Sequence, residues 1–264
     1  MSSTTFTQAK AHFYKHWIEL KKNSGEWEWI IIYPLVHIFS IGFLSQFLSQ
    51  AGSNGNATIY LLIGAFAWNF YVLCQRGITY GVLREVWADS IKHSVISPAG
   101  IKEFIIGNGA YGLFTGVISL LLMYIVALVV FSFNIFNGGA ALLLGLLVLF
   151  LYGMAEGLIV NSVMMLKGPE YMSLTWIISG IVMVLSAVYY PLSLIPEQVR
   201  WISYLLPTTH GIEAMRAAFL SSQSAAMSSA AIGIALAIIY LAISAAIYRW
   251  AVKKSRENGT VLRL

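Results

Sequence analysis

The candidate functional groups of this 264-residue chain are the polar side chains that lie within its apolar stretches. Glu156 lies within the run MAEGL, in the middle of a long apolar stretch. A carboxylate at bilayer depth is costly and rarely faces lipid. Glu156 therefore either lines a polar path for a substrate or is held by hydrogen bonds between helices, and the sequence leaves both interpretations open. Four further polar residues in or near the apolar stretches favour interhelical hydrogen bonding: His37, Asn69, Asn108 and Asn161.

Motifs of soluble catalysis and nucleotide binding are missing from the sequence. It contains no G-x-x-x-x-G-K-[ST] phosphate loop, no G-x-S-x-G nucleophile elbow and no H-E-x-x-H zinc helix. A single cysteine, Cys74, excludes a disulfide framework and a cysteine-based metal cluster. We therefore expect no catalytic residue, no metal and no cofactor of the chain's own. An intramembrane enzyme acting on a lipid stays open as an alternative, and it requires Glu156 to meet His37 or His210 at one depth.

The elements that position these residues are predicted from composition and length. Hydrophobic residues make up 58% of the chain and charged residues only 10%, whereas soluble domains carry about 25% charged residues. A bilayer core needs about 20 apolar residues in helical form. The chain is thus predicted to be an all-α integral membrane protein with six transmembrane helices. Their predicted ranges are 29–48, 59–75, 104–133, 139–166, 171–190 and 230–250. The second range is short, and its helix is expected to continue towards Leu83.

The distribution of lysine and arginine predicts the orientation of these spans. Fourteen of the 16 basic residues fall on one side of the six-span topology and two on the other. Because cytoplasmic segments are enriched in basic residues, both termini are expected in the cytoplasm of a multi-pass plasma-membrane protein. The positive charge flanks apolar stretches and does not indicate nucleic acid as a partner.

An N-terminal amphipathic interfacial helix is predicted over residues 5–22. Lys15, Glu19 and Lys22 fall on the opposite helical face from the apolar residues. Such a helix lies flat on the membrane surface, with its tryptophan at headgroup depth. The apolar face consists of Phe6, Ala9, Phe13, Trp17 and Leu20.

A short cytoplasmic helix is predicted over residues 83–98, ending at Pro98. Charged residues alternate there with large apolar ones. A helix that exposes Trp87 and Ile91 indicates a protein partner, although a solvated connector is the alternative. The residues concerned are Arg84, Glu85, Trp87, Asp89, Ile91 and Lys92.

Two short helices that re-enter the outer leaflet are predicted over residues 191–227, before the last span. Pro196 suits the first turn of one helix, and a second helix is expected after Pro207. Glu213 and Arg216 are three residues apart, so they can pair on one side of that second helix.

The order of these elements resembles that of the type-2 ABC exporter permeases. Residues 189–220, YYPLSLIPEQVRWISYLLPTTHGIEAMRAAFL, are similar to that family's run of prolines followed by a Glu-x-x-Arg helix. Residues 83–98, LREVWADSIKHSVISP, resemble its cytoplasmic coupling helix. The resemblance implies that two permease subunits form the path, and that separate ABC ATPase subunits bind ATP and push on residues 83–98. It also implies an outer gate shaped by Pro191, Pro196, Pro207, His210, Glu213 and Arg216.

The resemblance narrows the substrate only to a class. His210, Gly211 and Glu213 resemble polysaccharide-exporting members, whereas the N-terminal part departs from them and looks closer to drug and lipid exporters. An amphipathic or lipid-linked substrate, exported across a bacterial inner membrane by a homodimer, is the resulting expectation. A passive channel or scaffold without an ATPase is a further alternative.

Overall fold

The structure is a computed structural model that describes residues 3–22, 24–51, 56–88 and 100–259. Within these ranges the chain is helical and contains no strand. A π-helical turn, Glu28–Ile32, joins the second and third helices without a break, and 3₁₀ turns lie at Ile135–Gly138, Pro169–Ser173 and Leu192–Leu194. The α-helices are α1 (Ser3–Lys22), α2 (Ser24–Trp27), α3 (Tyr33–Gln50), α4 (Asn56–Trp87), α5 (Ile101–Phe131), α6 (Gly139–Lys167), α7 (Leu174–Leu185), α8 (Glu197–Leu205), α9 (Pro207–Leu220) and α10 (Gln223–Glu257).

The prediction of an all-α integral membrane protein is confirmed. Five stretches among the described residues are long and apolar enough to cross a bilayer: Gly25–Gln50, Asn56–Trp87, Ile101–Phe131, Ile135–Lys167 and Gln223–Glu257. The predicted fifth span, residues 171–190, corresponds to the shorter apolar stretch Pro169–Leu185. It ends early because the chain turns after Leu185, where Ala187 adopts a left-handed conformation with φ 51°. The number of six spans therefore stays a prediction.

Helices α4 and α6 pack against each other at the centre of the bundle, because glycines on α6 let the two backbones approach. A Cβ atom at Gly157 would lie 2.8 Å from the Cβ of Ile78 and 2.9 Å from the carbonyl oxygen of Gln75. Gly153 faces the α4 backbone in the same way, and Gly145 faces α9.

Helix α1 lies against α5 and brings its apolar face into the bundle. The ring centroids of Phe13 and Trp17 lie 5.8 Å and 5.6 Å from that of Phe114, and Leu20 is buried. Phe6, at the start of the predicted apolar face, is 63% exposed. An amphipathic helix is therefore present in the predicted range, while its location at a membrane surface stays a prediction.

Two short helices, α8 and α9, occupy the range in which re-entrant helices are predicted. Pro196 directly precedes the first residue of α8, and Pro207 is the first residue of α9. Proline suits these positions because the first turn of a helix has no intrahelical partner for its N–H groups. The depth of these helices in a membrane stays a prediction.

Candidate functional site

The carboxylate of Glu156 is buried between three helices. Its Oε2 accepts a hydrogen bond from the Tyr71 hydroxyl of α4. Its Oε1 accepts from Gln75 Nε2, also on α4, at 3.1 Å and from Ser179 Oγ on α7 at 2.7 Å. Glu156 is 4% exposed, so it faces the interior of the bundle as the cost of a lipid-facing carboxylate requires. We call these four residues the Glu156 cluster.

A cavity of about 190 Å³ lies next to the Glu156 cluster, between α3, α4 and α7. Gln75 and Ser179 line it as well as holding Glu156, so the cluster forms part of its wall. The remaining wall is largely aromatic, which makes the cavity apolar with a polar margin. Its aromatic lining consists of Tyr33, Trp68, Tyr80 and Trp176. We call it the aromatic cavity.

The end of α4 that carries Arg84 is tied to the N-terminal helices by ion pairs. Arg84 Nη2 lies 2.6 Å from Glu26 Oε2, and Arg84 Nη1 lies 3.0 Å from Glu19 Oε2. Glu85 pairs with Lys15 at 3.3 Å. Glu19 and Lys15 thus contact the bundle, although the helical pattern places them opposite the apolar face. We call this set of residues the Arg84 cluster.

The electrostatics of the Arg84 cluster favour a charged Glu19. Burial alone would raise the pKa of the Glu19 carboxyl group. The hydrogen bond with His16 and the charge of Arg84 act in the opposite direction and outweigh burial, so the pKa lies below its ordinary value of 4.5. The ion pair between Glu19 and Arg84 therefore persists at neutral pH.

The predicted coupling residues divide into three groups. Arg84 and Glu85 are buried, at 9% and 5% exposure, in the last turns of α4, whereas Trp87 is 64% exposed. Residues 83–87 of the predicted helix 83–98 therefore continue α4. The other predicted coupling residues, Asp89, Ile91 and Lys92, lie outside the described residues. The coupling role itself stays a prediction.

The other end of α4 meets a buried arginine on α9. Arg216 is 1% exposed and donates from Nη1 to the Ala187 carbonyl at 3.0 Å and from Nη2 to the Val188 carbonyl at 2.6 Å. It also reaches the Tyr60 carbonyl of α4 at 3.3 Å and Glu213 Oε1 at 3.0 Å. The predicted pairing of Glu213 with Arg216 is thus observed. We call this arrangement the Arg216 hub.

Pro191 and His210, two of the other predicted gate residues, lie on either side of α8 in the chain. Pro191 lies in an extended conformation between α7 and α8, with φ −66° and ψ 144°. His210 Nε2 lies 2.9 Å from the Tyr204 carbonyl oxygen and joins α9 to α8.

The hydrogen bonds of His37 and Glu156 go to different partners, since His37 Nε2 lies 2.8 Å from the Tyr189 hydroxyl. The pairing that an intramembrane enzyme requires is therefore not one of the contacts of these two groups.

One helix connects the three sites. Helix α4 supplies Tyr60 to the Arg216 hub, Tyr71 and Gln75 to the Glu156 cluster, and Arg84 to the Arg84 cluster. It is unbroken over 32 residues, which corresponds to about 48 Å at 1.5 Å per residue. A displacement at one end of such a rod reaches the other end directly.

Comparison with protein families identifies the chain. The model of the ABC-2 type transporter family matches residues 7–220. The chain belongs to the ABC-2 type transporter family. A comparison with curated proteins gives no significant match.

Membership of the ABC-2 type transporter family makes this multi-pass membrane protein the permease subunit of an ABC transporter. Such a subunit generally has no ATPase site of its own, and the family implies an ABC ATPase partner. The match extends over α4 with all three sites described above.

Several functional candidates were missed by reasoning from the sequence. Tyr71, Gln75 and Ser179 are ordinary helix residues in the sequence, and only the fold brings them to Glu156. Arg76 directly follows the predicted apolar range 59–75, where a basic residue is expected to flank the span and orient the chain. It is instead 8% exposed inside the bundle, since α4 continues to Trp87. The adjacent polar pair in CQRG was the available signal.

Proposed function

We propose that this permease subunit exports an amphipathic or lipid-linked substrate, such as a drug, a lipid or a polysaccharide, from the cytoplasm. Two copies form the path across a bacterial inner membrane, and two ABC ATPase subunits bind on the cytoplasmic side. A homodimer is the simplest assembly, because two-fold symmetry dominates among oligomers. The observation that carries the proposal is the continuity of α4 between the Arg84 cluster, the Glu156 cluster and the Arg216 hub.

The ATPase acts, in this proposal, on the segment that follows Trp87. Trp87 is exposed at the end of α4 and offers an apolar contact to a partner. Ion pairs of Arg84 and Glu85 to α1 and α2 make the N-terminal helices move with that end. Closure of the ATPases then displaces α4 as one body, because the helix contains no break between Asn56 and Trp87.

The opposite end of α4 carries this displacement to the outer gate. Arg216 joins the Tyr60 carbonyl to the chain turn at Ala187 and Val188, so a shift of α4 moves α9 and the end of α7 together. The Glu156 cluster lies between the two ends and links α4, α6 and α7. Glu156 and the aromatic cavity beside it are the candidate translocation path.

Co-purification with an ABC ATPase tests the partner and its docking site. Trp87→Asp places a charge on the proposed contact, and Trp250→Asp is the matched control, since Trp250 is also exposed, at 57%, but lies on α10. The ATPase should co-purify with the wild-type chain and with the Trp250 variant, but not with the Trp87 variant. ATPase binding that survives Trp87→Asp contradicts the docking site.

The direction of transport needs a separate measurement. In inverted membrane vesicles the ATPase faces the outside medium. A fluorescent amphiphile should accumulate in the vesicle lumen when ATP is added to that medium. An amphiphile that moves only out of the lumen under these conditions contradicts export.

A further inference from the structure

Arg76 is a buried cation whose hydrogen-bonding capacity is only partly used. Its guanidinium carbon lies 4.3 Å from the ring centroid of Trp29 and 4.3 Å from that of Tyr80. Nη2 donates to Glu26 Oε1 at 3.3 Å. Nε and Nη1 are buried and have no hydrogen-bond partner among the described residues. Buried donors of this kind are rare in proteins, so they point to a ligand.

The carboxylate of Glu26 lies closer to the guanidinium of Arg84 than to that of Arg76. Its Oε2 lies 2.6 Å from Arg84, compared with 3.3 Å between Oε1 and Arg76. Arg84 has a second carboxylate as well, Glu19, at 3.0 Å. Arg76 therefore shares one carboxylate with a better-placed arginine and has an incompletely balanced charge.

Arg76 also lines the aromatic cavity, where other polar groups converge. Thr175 lines the same cavity, and its Oγ1 is buried without a partner among the described residues. Gln75 and Ser179 add polar edges, while the other walls are mainly aromatic. The cavity thus combines unused donors with apolar rings, which suits an anionic group that carries a hydrocarbon tail.

The size and position of the cavity restrict the ligand further. Its volume of about 190 Å³ is below the range of roughly 300–1,000 Å³ for pockets that enclose a drug-sized ligand. Tyr33 and Trp176 line it and are 45% and 47% exposed, so it lies next to the outer surface of the bundle. A headgroup fits inside, and its tail can extend along that surface.

We propose that the aromatic cavity binds the phosphate head of an anionic amphiphile, with Arg76 as its principal ligand. Phosphate is the preferred head because its several oxygens can accept from Nε and Nη1 of Arg76 and from Thr175 at once. This inference rests on the proposed function, for which it specifies the substrate as a phosphate ester with an alkyl chain.

Binding of radiolabelled dodecyl phosphate to the purified permease, in dodecyl maltoside micelles without ATPase or ATP, tests the inference. The wild-type chain should bind the label saturably. Arg76→Gln should weaken binding about ten- to 100-fold, the loss typical of hydrogen bonds to a charged group. Arg249→Gln removes an exposed charge on α10 and should leave the affinity unchanged.

Further arms separate the sources of the signal. Excess inorganic phosphate should compete poorly, because it lacks the tail; competition equal to that of unlabelled dodecyl phosphate overturns the assignment to an amphiphile. Arg76→Lys keeps a charge and should recover part of the affinity in a chain that elutes as wild type in size exclusion. Wild-type affinity in Arg76→Gln, or no saturable binding, overturns the site. Binding that persists when ATP-driven transport fails leaves this site standing and contradicts only the proposed function.

Discussion

Removal of the Arg216 guanidinium should destabilise the permease strongly. Arg216→Met keeps an unbranched side chain but leaves the carbonyl groups of Ala187, Val188 and Tyr60 without this donor in a buried setting. Hydrogen bonds to a charged group contribute about 1.5–3 kcal/mol each. The two shorter ones, at 3.0 Å and 2.6 Å, together imply a loss of about 3–6 kcal/mol, and Glu213 also loses its partner.

Arg200→Met is the matched control for this change. Arg200 also donates to backbone carbonyls, those of Ser193 and Ile195 at 2.8–3.1 Å, but its side chain is 26% exposed, so water can replace it. Since 1 kcal/mol shifts the melting temperature of a chain of 150–250 residues by about 2–4 °C, Arg216→Met should melt at least about 6 °C lower in detergent. The control should shift by less than about 2 °C. Equal shifts in the two variants would refute the reasoning.

Two further predictions concern packing and pH. Gly157→Val forces a side chain against the α4 backbone and should lower the unfolding free energy by about 1–3 kcal/mol. Gly180→Ala is the control, because its added Cβ meets open space, and it should not lower the melting temperature. Similar melting temperatures of the two variants would contradict the packing of α6. Because the folded-state pKa of Glu19 lies below its ordinary value of 4.5, its ion pair with Arg84 stabilises the fold fully above pH 4.5 and is lost as the pH falls below that value. In a plot of melting temperature against pH, the decrease below pH 4.5 should become shallower in Glu19→Gln. It should stay unchanged in Glu257→Gln, which removes an ion pair at the exposed end of α10. An unchanged decrease in Glu19→Gln would count against the Arg84 cluster.

The fold was predictable from the lengths of the apolar stretches in the sequence. The fourth predicted span, 139–166, differs from α6 by one residue at its end, because a long apolar run in lipid has no alternative to a helix. The apolar part of the second predicted span ends at residue 75, and its helix, which is expected to continue towards Leu83, extends to Trp87. A charged residue such as Arg76 ends an apolar stretch in the sequence, but aromatic rings and a carboxylate cover it in the fold.

The site could be predicted only where local spacing determines a contact. Glu213 and Arg216 are three residues apart on one helix, so their pairing follows from helical geometry. The break after Leu185 does not, because Arg216 satisfies carbonyl groups nearly 30 residues earlier in the chain. Burial of Glu156 was predictable from its cost in lipid, whereas its partners on α4 and α7 depend on how three helices pack.

The orientation of α4 is the claim on which the coupling mechanism depends, and thiol labelling tests it most directly. Cys74, the one cysteine of the sequence, is buried, so Cys74→Ala gives a background for single cysteines. Trp87→Cys then reports on the end of α4 that carries the Arg84 cluster, and Leu194→Cys reports on the opposite end of the bundle. Both positions are accessible, since these side chains are 64% and 69% exposed. A membrane-impermeant maleimide should label Leu194→Cys in intact cells and Trp87→Cys only after permeabilisation. Labelling of Trp87→Cys in intact cells would place the end of α4 out of reach of an ATPase and contradict the mechanism.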